Sequence, residues 1–243
     1  RKVARRTLSL CMHEHYEDCP WREQALYAND SRNQALAGYY GFGEYEFPKV
    51  SFALLGRGLK EDGFLELCAP AEIEITIPSF TMVWILAIRD AWLFSGNIDF
   101  TRTWQPQIKK MLDAFIAKLK NGLFPCPQGK RFWQFYDWAD GLDSWDEKKY
   151  LIMEIEGERF DAILNLYLIL ALKAGAQIAK ACNNDETAKK YSQLTKTIAE
   201  SIHRVFWNDT DKLYQNNKPG RRTPKRTHQK LLSVGKRLWQ AGT

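Results

Sequence analysis

The sequence predicts an all-α protein built of helical hairpins stacked in two layers. Three observations predict it. Six stretches carry apolar residues at helical spacing. They fall into pairs joined by short links, which favours antiparallel neighbours. Their apolar character also differs by position: the third and fifth are apolar nearly all round, the fourth and sixth on one face only, as inner and outer layers require.

In order, the helices are expected at 29–40, 48–59, 79–94, 100–119, 160–182 and 185–206. Pro48 suits a first turn, where its missing N–H is not needed. Next, Glu72-Ile73-Glu74-Ile75-Thr76-Ile77 alternates with period two, so a small β insert is expected near 64–77. Pro78 and Ser79 open the third helix. In the fourth, Trp104, Ile108, Met111, Leu112, Phe115, Ile116 and Leu119 form one stripe, with Lys109, Lys110, Asp113 and Lys118 off it. A long aromatic loop is expected over 122–157. Eleven of the thirteen residues 160–172 are apolar, so the fifth helix should be buried on most sides. The sixth opens with Asn183 three residues before Glu186, a capping arrangement. No self-similar repeat supports a named helical-repeat array.

An apolar content of 45% in 243 residues excludes a disordered chain. The longest apolar-rich run, 162–172, is too short to cross a bilayer, which takes about 20 residues, so no membrane partner is expected. Lys and Arg outnumber Asp and Glu by 35 to 29, but eight of the basic residues and none of the acids lie in 218–243. Residues 1–217 then hold 27 basic and 29 acidic side chains, a net of −2. Such a body has no phosphate-binding face, so no nucleic acid is expected either. The sequence divides into this body, 1–217, and a basic tail, 218–243. Cys11, Cys19, Cys68, Cys126 and Cys182 are odd in number and include no C-x-x-C pair, so free, mostly buried thiols are expected. The basic start, Arg1 to Arg6, is not followed by an apolar core and a small-residue cleavage site. No leader is expected, and cysteine usage favours the cytoplasm.

Two clusters carry candidate chemistry. The first is His13-Glu14-His15-Tyr16-Glu17-Asp18-Cys19-Pro20-Trp21-Arg22-Glu23-Gln24, a loop just before the first expected helix. Loops at helix ends commonly display catalytic groups. If the helix reaches back to Glu23, then Glu23, Tyr27 and Asp30 share a face through their i, i+4 and i+7 spacing. Glycoside hydrolysis needs a carboxylic acid that keeps its proton near neutral pH, and clustered carboxylates raise one another's pKa. The alternative is a charged surface loop with Arg22 paired to an acid. His13-x-His15 has too common a spacing to mark a metal site, and no second cluster completes one; no metal or cofactor is expected. The second cluster, residues 132–145, holds six aromatic residues interleaved with three carboxylates. Aromatic walls beside acids suit a sugar, whose ring faces are apolar and whose hydroxyls seek carboxylates.

The run from His15 to Asp30 resembles the signature of the bacterial α-L-rhamnosidases, a pattern close to D-C-P-x-R-E-x-x-x-Y/W-x-x-D. Asp18, Cys19, Pro20, Arg22, Glu23, Tyr27 and Asp30 fall in step with it. Phe135-Tyr136-Asp137-Trp138 with Gly141-Leu142 is similar to a later D-W motif of that family. The resemblance covers about 7–217. It implies inverting glycosidase chemistry on an (α/α)6 toroid, of which about six of twelve helices are present. Glu23 is implied as the general acid. Asp18 and Arg22 would hold sugar hydroxyls and orient it, Asp30 and Asp137 would be further pocket carboxylates, and Tyr27 and Trp138 would be walls. The implied substrate is a rhamnose-containing glycoside. Some members carry Arg-Asp-Glu where this chain has Arg22-Glu23-Gln24, but Gln24 cannot donate a catalytic proton. An inverting enzyme also needs a second carboxylate to activate water, roughly 6.5–9.5 Å from the first. None in 150–243 matches the family's general base, so it is expected beyond this chain, and the basic tail is expected to reflect a shifted frame or truncation. Two other readings stand beside this one: another six-hairpin glycosidase, and a non-catalytic carbohydrate-binding or helical scaffold remnant.

Overall fold

A computed structural model describes residues 1–69 and 71–216. The basic segment 218–243, its helix pattern and its status as a separate unit lie outside the described residues. Within them are eight helices: α1 Lys2–Leu10, α2 Ala28–Phe42, α3 Phe47–Arg57, α4 Pro78–Ser95, α5 Asp99–Thr103, α6 Gln105–Ile116, α7 Ala162–Ala181 and α8 Asp185–Phe206. Two short antiparallel hairpins complete the set, β1 Trp145–Asp146 with β2 Leu151–Ile152, and β3 Trp207–Asn208 with β4 Leu213–Tyr214. The fold is all-α.

The helices form two layers. In one, α2 packs on α4 and α4 on α7; in the other, α3 returns the chain between α2 and α4, while α6 and α8 pack on α7. The rings of Tyr27 and Phe80 meet at 6.4 Å near the starts of α2 and α4, and those of Tyr39 and Phe94 at 4.7 Å near their ends. The two helices therefore run parallel. The start of α7 joins the same end: Ser79 Oγ donates to the Phe135 carbonyl at 2.9 Å, and the next residue, Tyr136, donates its hydroxyl to Asp161, just before α7, at 3.0 Å. Three inner helices thus begin at one end of the molecule.

Burial follows the expected layering. From Pro78 to Ile88 every residue of α4 is buried, and α7 is buried over most of its length. Trp84 has no exposed surface; its indole donates to the Phe52 carbonyl at 2.8 Å and meets Trp104 edge-on at 5.4 Å. Asn165 is the polar exception inside α7. Its Oδ1 accepts from Phe124 N, and its Nδ2 donates to the carbonyls of Phe124 and Asp161, so the buried amide is satisfied and ties the loop at 124 to the helix. All five cysteines are free thiols, with Cys11, Cys68 and Cys126 buried.

Close approach of α3 to α4 depends on Gly56. A Cβ there would lie 2.5 Å from Trp104 and 2.7 Å from Trp84. Alanine gains about 1 kcal/mol of helix propensity over glycine, but overpacking two buried indoles costs about 1–3 kcal/mol. Contacts this short put the cost at the upper end. Gly56→Ala should therefore lower Tm by roughly 2–8 °C in a thermal melt; an unchanged or higher Tm would show that the indoles move aside.

Several expectations are corrected. Among the described residues of 64–77 there is no continuous strand. The stretch forms single bridges instead, Leu65 to Leu59, Cys68 to Tyr27 and Thr76 to Phe132, and its two arms meet only through Leu67 N–H to the Ile75 carbonyl and the Thr76 hydroxyl to the Leu65 carbonyl. The helix expected at 100–119 is two helices broken at Trp104, with Pro106 opening the second. Asn184, not Asn183, caps α8, its side chain accepting from Thr187 N at 3.1 Å, while Asn183 takes a left-handed turn at φ 60°. Helix α1 was not expected from the sequence.

Candidate active site

The first motif lies where the three inner helices begin. Asp18 closes the loop that carries it: its N–H donates to the Ala25 carbonyl and its Oδ1 accepts from Ala25 N, both at 2.9 Å. Gln24 turns the chain with a left-handed backbone at φ 50°. Helix α2 starts only at Ala28, so Glu23, Tyr27 and Asp30 do not share a helix face, correcting that expectation. The turn brings the first two together by another route. Tyr27 donates its hydroxyl to Glu23 Oε2 at 2.8 Å. Burial, followed by the bond to Glu23, pushes the Tyr27 phenol well above its ordinary range, so it remains a donor at neutral pH.

Asp30 sits in the first turn of α2, mostly buried. Burial above all, with the charges of Asp18 and Glu23, holds its carboxyl above the usual range, against the pull of its own backbone N–H. The same two charges act on the buried Cys68 thiol, which is also raised, chiefly by burial and then by Glu66. Asp18, Glu23 and Asp30 therefore form one electrostatic cluster. A carboxyl raised in the folded chain binds its proton more tightly there than when unfolded. Its stabilising effect is complete below the ordinary aspartate value, about 3.9, and is lost as pH rises through the folded value. Asp30→Asn should then raise Tm at pH 7, a gain that vanishes toward pH 3. Melts across that range check it, and an equal or lower Tm at pH 7 contradicts it.

Arg22 is exposed and makes no hydrogen bond or ion pair among the described residues, so the expected pairing of Arg22 with an acid is absent. Its neighbour Trp21 is 87% exposed. The imidazoles are engaged elsewhere: His13 Nδ1 meets the buried Glu17 carboxylate at 2.8 Å, and His15 Nδ1 meets the Tyr16 carbonyl at 2.9 Å.

The second motif reaches the first through aromatic rings. Tyr27 meets Phe80, Phe80 meets Phe135 at 6.1 Å, and Phe135 meets Trp138 at 4.8 Å. Trp138 is 67% exposed. Asp137 is also exposed, and its Oδ1 accepts from Trp138 N at 2.8 Å. No hydrogen bond joins Asp137 or Trp138 to Glu23 among the described residues. Asp137 instead acts electrostatically on Tyr167 of α7, whose phenol is raised mainly by burial and which also feels Arg32.

Two residues beneath this motif, Arg159 and Asp161, were given no functional reading from the sequence, and they join Tyr136 of the motif itself. Asp161, with no exposed surface, accepts from Arg159 Nε at 2.7 Å and Nη2 at 2.9 Å and from the Tyr136 hydroxyl. Burial, then the Asp161 charge, raises the Tyr136 phenol well above its ordinary value. This bidentate pair fixes the backbone that carries Asp137 and Trp138. An Arg-x-Asp step just before an apolar helix is the signal that could have found it.

Over residues 1–226 the chain matches the bacterial alpha-L-rhamnosidase 6 hairpin glycosidase domain family. Among solved structures it is similar to a GH78 family rhamnosidase of Bacillus sp. GL1, with 27% identity and TM-score 0.73, over 88% of this chain and 21% of that one. It is similar to a rhamnosidase from Klebsiella oxytoca with rhamnose bound (20% identity, TM-score 0.71, 88% of this chain and 39% of that one). It is also similar to an α-L-rhamnosidase of Streptomyces avermitilis complexed with L-rhamnose (16% identity, TM-score 0.61, 84% and 19%). At these lower identities the last two speak for the fold alone. This chain thus spans well under half the length of each. A comparison with curated proteins gives no match. With nearly the whole sequence matched and the helical layers shared, the chain belongs to the bacterial α-L-rhamnosidase six-hairpin glycosidase domain family.

Proposed function

We propose that the cluster at the starts of α2, α4 and α7 binds a terminal α-L-rhamnosyl group and contributes the general acid for its inverting hydrolysis. The observation that carries this reading is the Glu23 carboxyl, exposed to a ligand yet fixed by Tyr27 beside Asp18 and Asp30. Because Oε2 accepts from Tyr27, Oε1 is the atom left to hold and deliver the proton. It would pass to the glycosidic oxygen as the C1–O bond breaks. Water would attack C1 from the opposite face, its proton taken by a second carboxylate. Asp18, Arg22, Asp30 and Asp137 would engage sugar hydroxyls, and Tyr27 and Trp138 would wall the ring. Apolar walls suit rhamnose, whose C6 is a methyl group.

In the test, a protein that carries this chain together with the expected general base is incubated with a panel of aryl glycosides, followed by NMR of the first anomer released. Turnover confined to the α-L-rhamnoside, with the β anomer appearing first, supports the reading. Turnover of a different sugar points to another six-hairpin glycosidase. Binding of L-rhamnose without turnover points to a carbohydrate-binding role, and no binding removes the reading altogether.

A further inference from the structure

Beside the candidate site lies an open groove of about 920 Å³ that no step above uses. The β1–β2 hairpin forms one side, and its lining includes Ile75, Lys130, Trp145, Tyr150, Met153 and Glu154. Two routes connect it to Glu23. Along the main chain, Tyr27 pairs with Cys68, and the adjacent Leu67 donates its N–H to the Ile75 carbonyl at 2.8 Å. Two pairings and one chain step thus separate Tyr27 from the groove wall at Ile75. Along the side chains, Trp138 meets Trp133 at 5.8 Å and Trp133 meets Trp145 at 6.1 Å. The aromatic surface that starts at the exposed Trp138 thus continues into the groove.

We infer that this groove is the leaving-group subsite, holding the neutral pyranose to which the rhamnosyl unit is attached. The inference rests on the rhamnoside reading above. The groove adjoins the candidate site through the Trp138–Trp133–Trp145 rings, and its volume lies within the range of small-ligand sites. The chemistry of the wall points to a sugar. Trp145 and Tyr150 offer ring faces. Tyr150 is 82% exposed and sits at φ 51°, a left-handed backbone that bulky residues rarely adopt. Nothing in the packing requires an aromatic side chain there, whereas a stacked ligand would. The charges are mixed: Lys130, Glu154 and Glu156 make no ion pair among the described residues, while Lys149 faces Asp146 at 3.6 Å. Glu154 and Glu156 disfavour an anion and Lys130 a cation. Donors and acceptors of both kinds suit a neutral polyol.

The test compares binding of two probes to the full chain by titration calorimetry. One is L-rhamnose. The other is α-L-rhamnosyl-(1→6)-D-glucose with sulfur as the linking atom, which resists hydrolysis. The disaccharide should bind about tenfold more tightly, the scale of one ring stacked on an indole. Trp145→Ala and, separately, Tyr150→Ala should erase that gain and leave the Kd for L-rhamnose within twofold. The exposed Tyr150 position keeps the test valid if Trp145→Ala does not fold. Equal affinity for the two probes, or a gain that survives both substitutions, overturns the groove assignment while the rhamnose reading stands. If L-rhamnose itself does not bind, both fall. A gain seen with a phenyl thiorhamnoside and not with the disaccharide overturns the assignment to a sugar.

Discussion

In a protein that also carries the expected general base, Glu23→Gln should lower turnover of an α-L-rhamnoside bearing an alkyl leaving group by about 10³-fold or more, with the Kd for L-rhamnose within twofold of the parent. A positioned general acid contributes about 10²–10⁴-fold, and an alkoxide depends on it most because it leaves poorly without a proton. Glutamine preserves the size of the side chain and an oxygen able to accept from Tyr27, so binding is little disturbed. The comparison that isolates the proton is a leaving-group series. With a nitrophenolate, which departs readily unprotonated, the loss should shrink to about tenfold. A deficit equal for both leaving groups would remove Glu23 from the acid role, since a merely structural change slows every substrate alike. Tyr27→Phe should sit between parent and Glu23→Gln, because it frees Oε2 without removing the acid.

The second large effect concerns the network under Trp138. Arg159→Met should destabilise the protein by about 3–5 kcal/mol, roughly 6–20 °C in Tm. It takes the guanidinium from a carboxylate with no exposed surface. Tyr136→Phe removes one neutral donor from the same carboxylate and should cost only about 1 kcal/mol. The asymmetry follows from burial: the Arg159 side chain is about one-third exposed, so water reaches the cation but not the anion. Chemical denaturation of the two variants checks the order. Equal losses would mean that the carboxylate is neutralised by other means and that the pair is not what holds the second motif.

Much of the layering was legible because α4, α7 and α8 state their environments locally. Residues 185–206 coincide with α8 because one apolar stripe runs its whole length. What escaped depended on partners far away in sequence. The alternation at 72–77 does mark extended chain, but it is shared between the nearby arm at 65–67, through Leu67 N–H to the Ile75 carbonyl, and the distant Phe132 and 131 carbonyl. Periodicity alone could not reveal that. The break at Trp104 was written in Pro106, overridden by an apolar stripe that continues across it. Helix α1 is nine residues long and buries only Leu8, so its apolar face is too brief to stand out from its basic residues. At the site, spacing brought Glu23 and Tyr27 into view for the wrong reason: a left-handed turn at Gln24, not a helix face, brings them together. The Arg159–Asp161–Tyr136 network joins positions 25 residues apart, and only its Arg-x-Asp half is written locally.

The parallel run of α2, α4 and α7 also sets the order in which function is acquired during folding. Each inner helix is returned by an outer helix adjacent in sequence, as α3 returns α2 and α8 follows α7. Such contacts close short loops and form early. The candidate site instead joins residue 27 to residue 80 and residue 80 to residue 135. Closing those long loops comes later. In a refolding experiment, helical signal should therefore return before the ability to bind sugar, with the lag measuring the docking of whole hairpins.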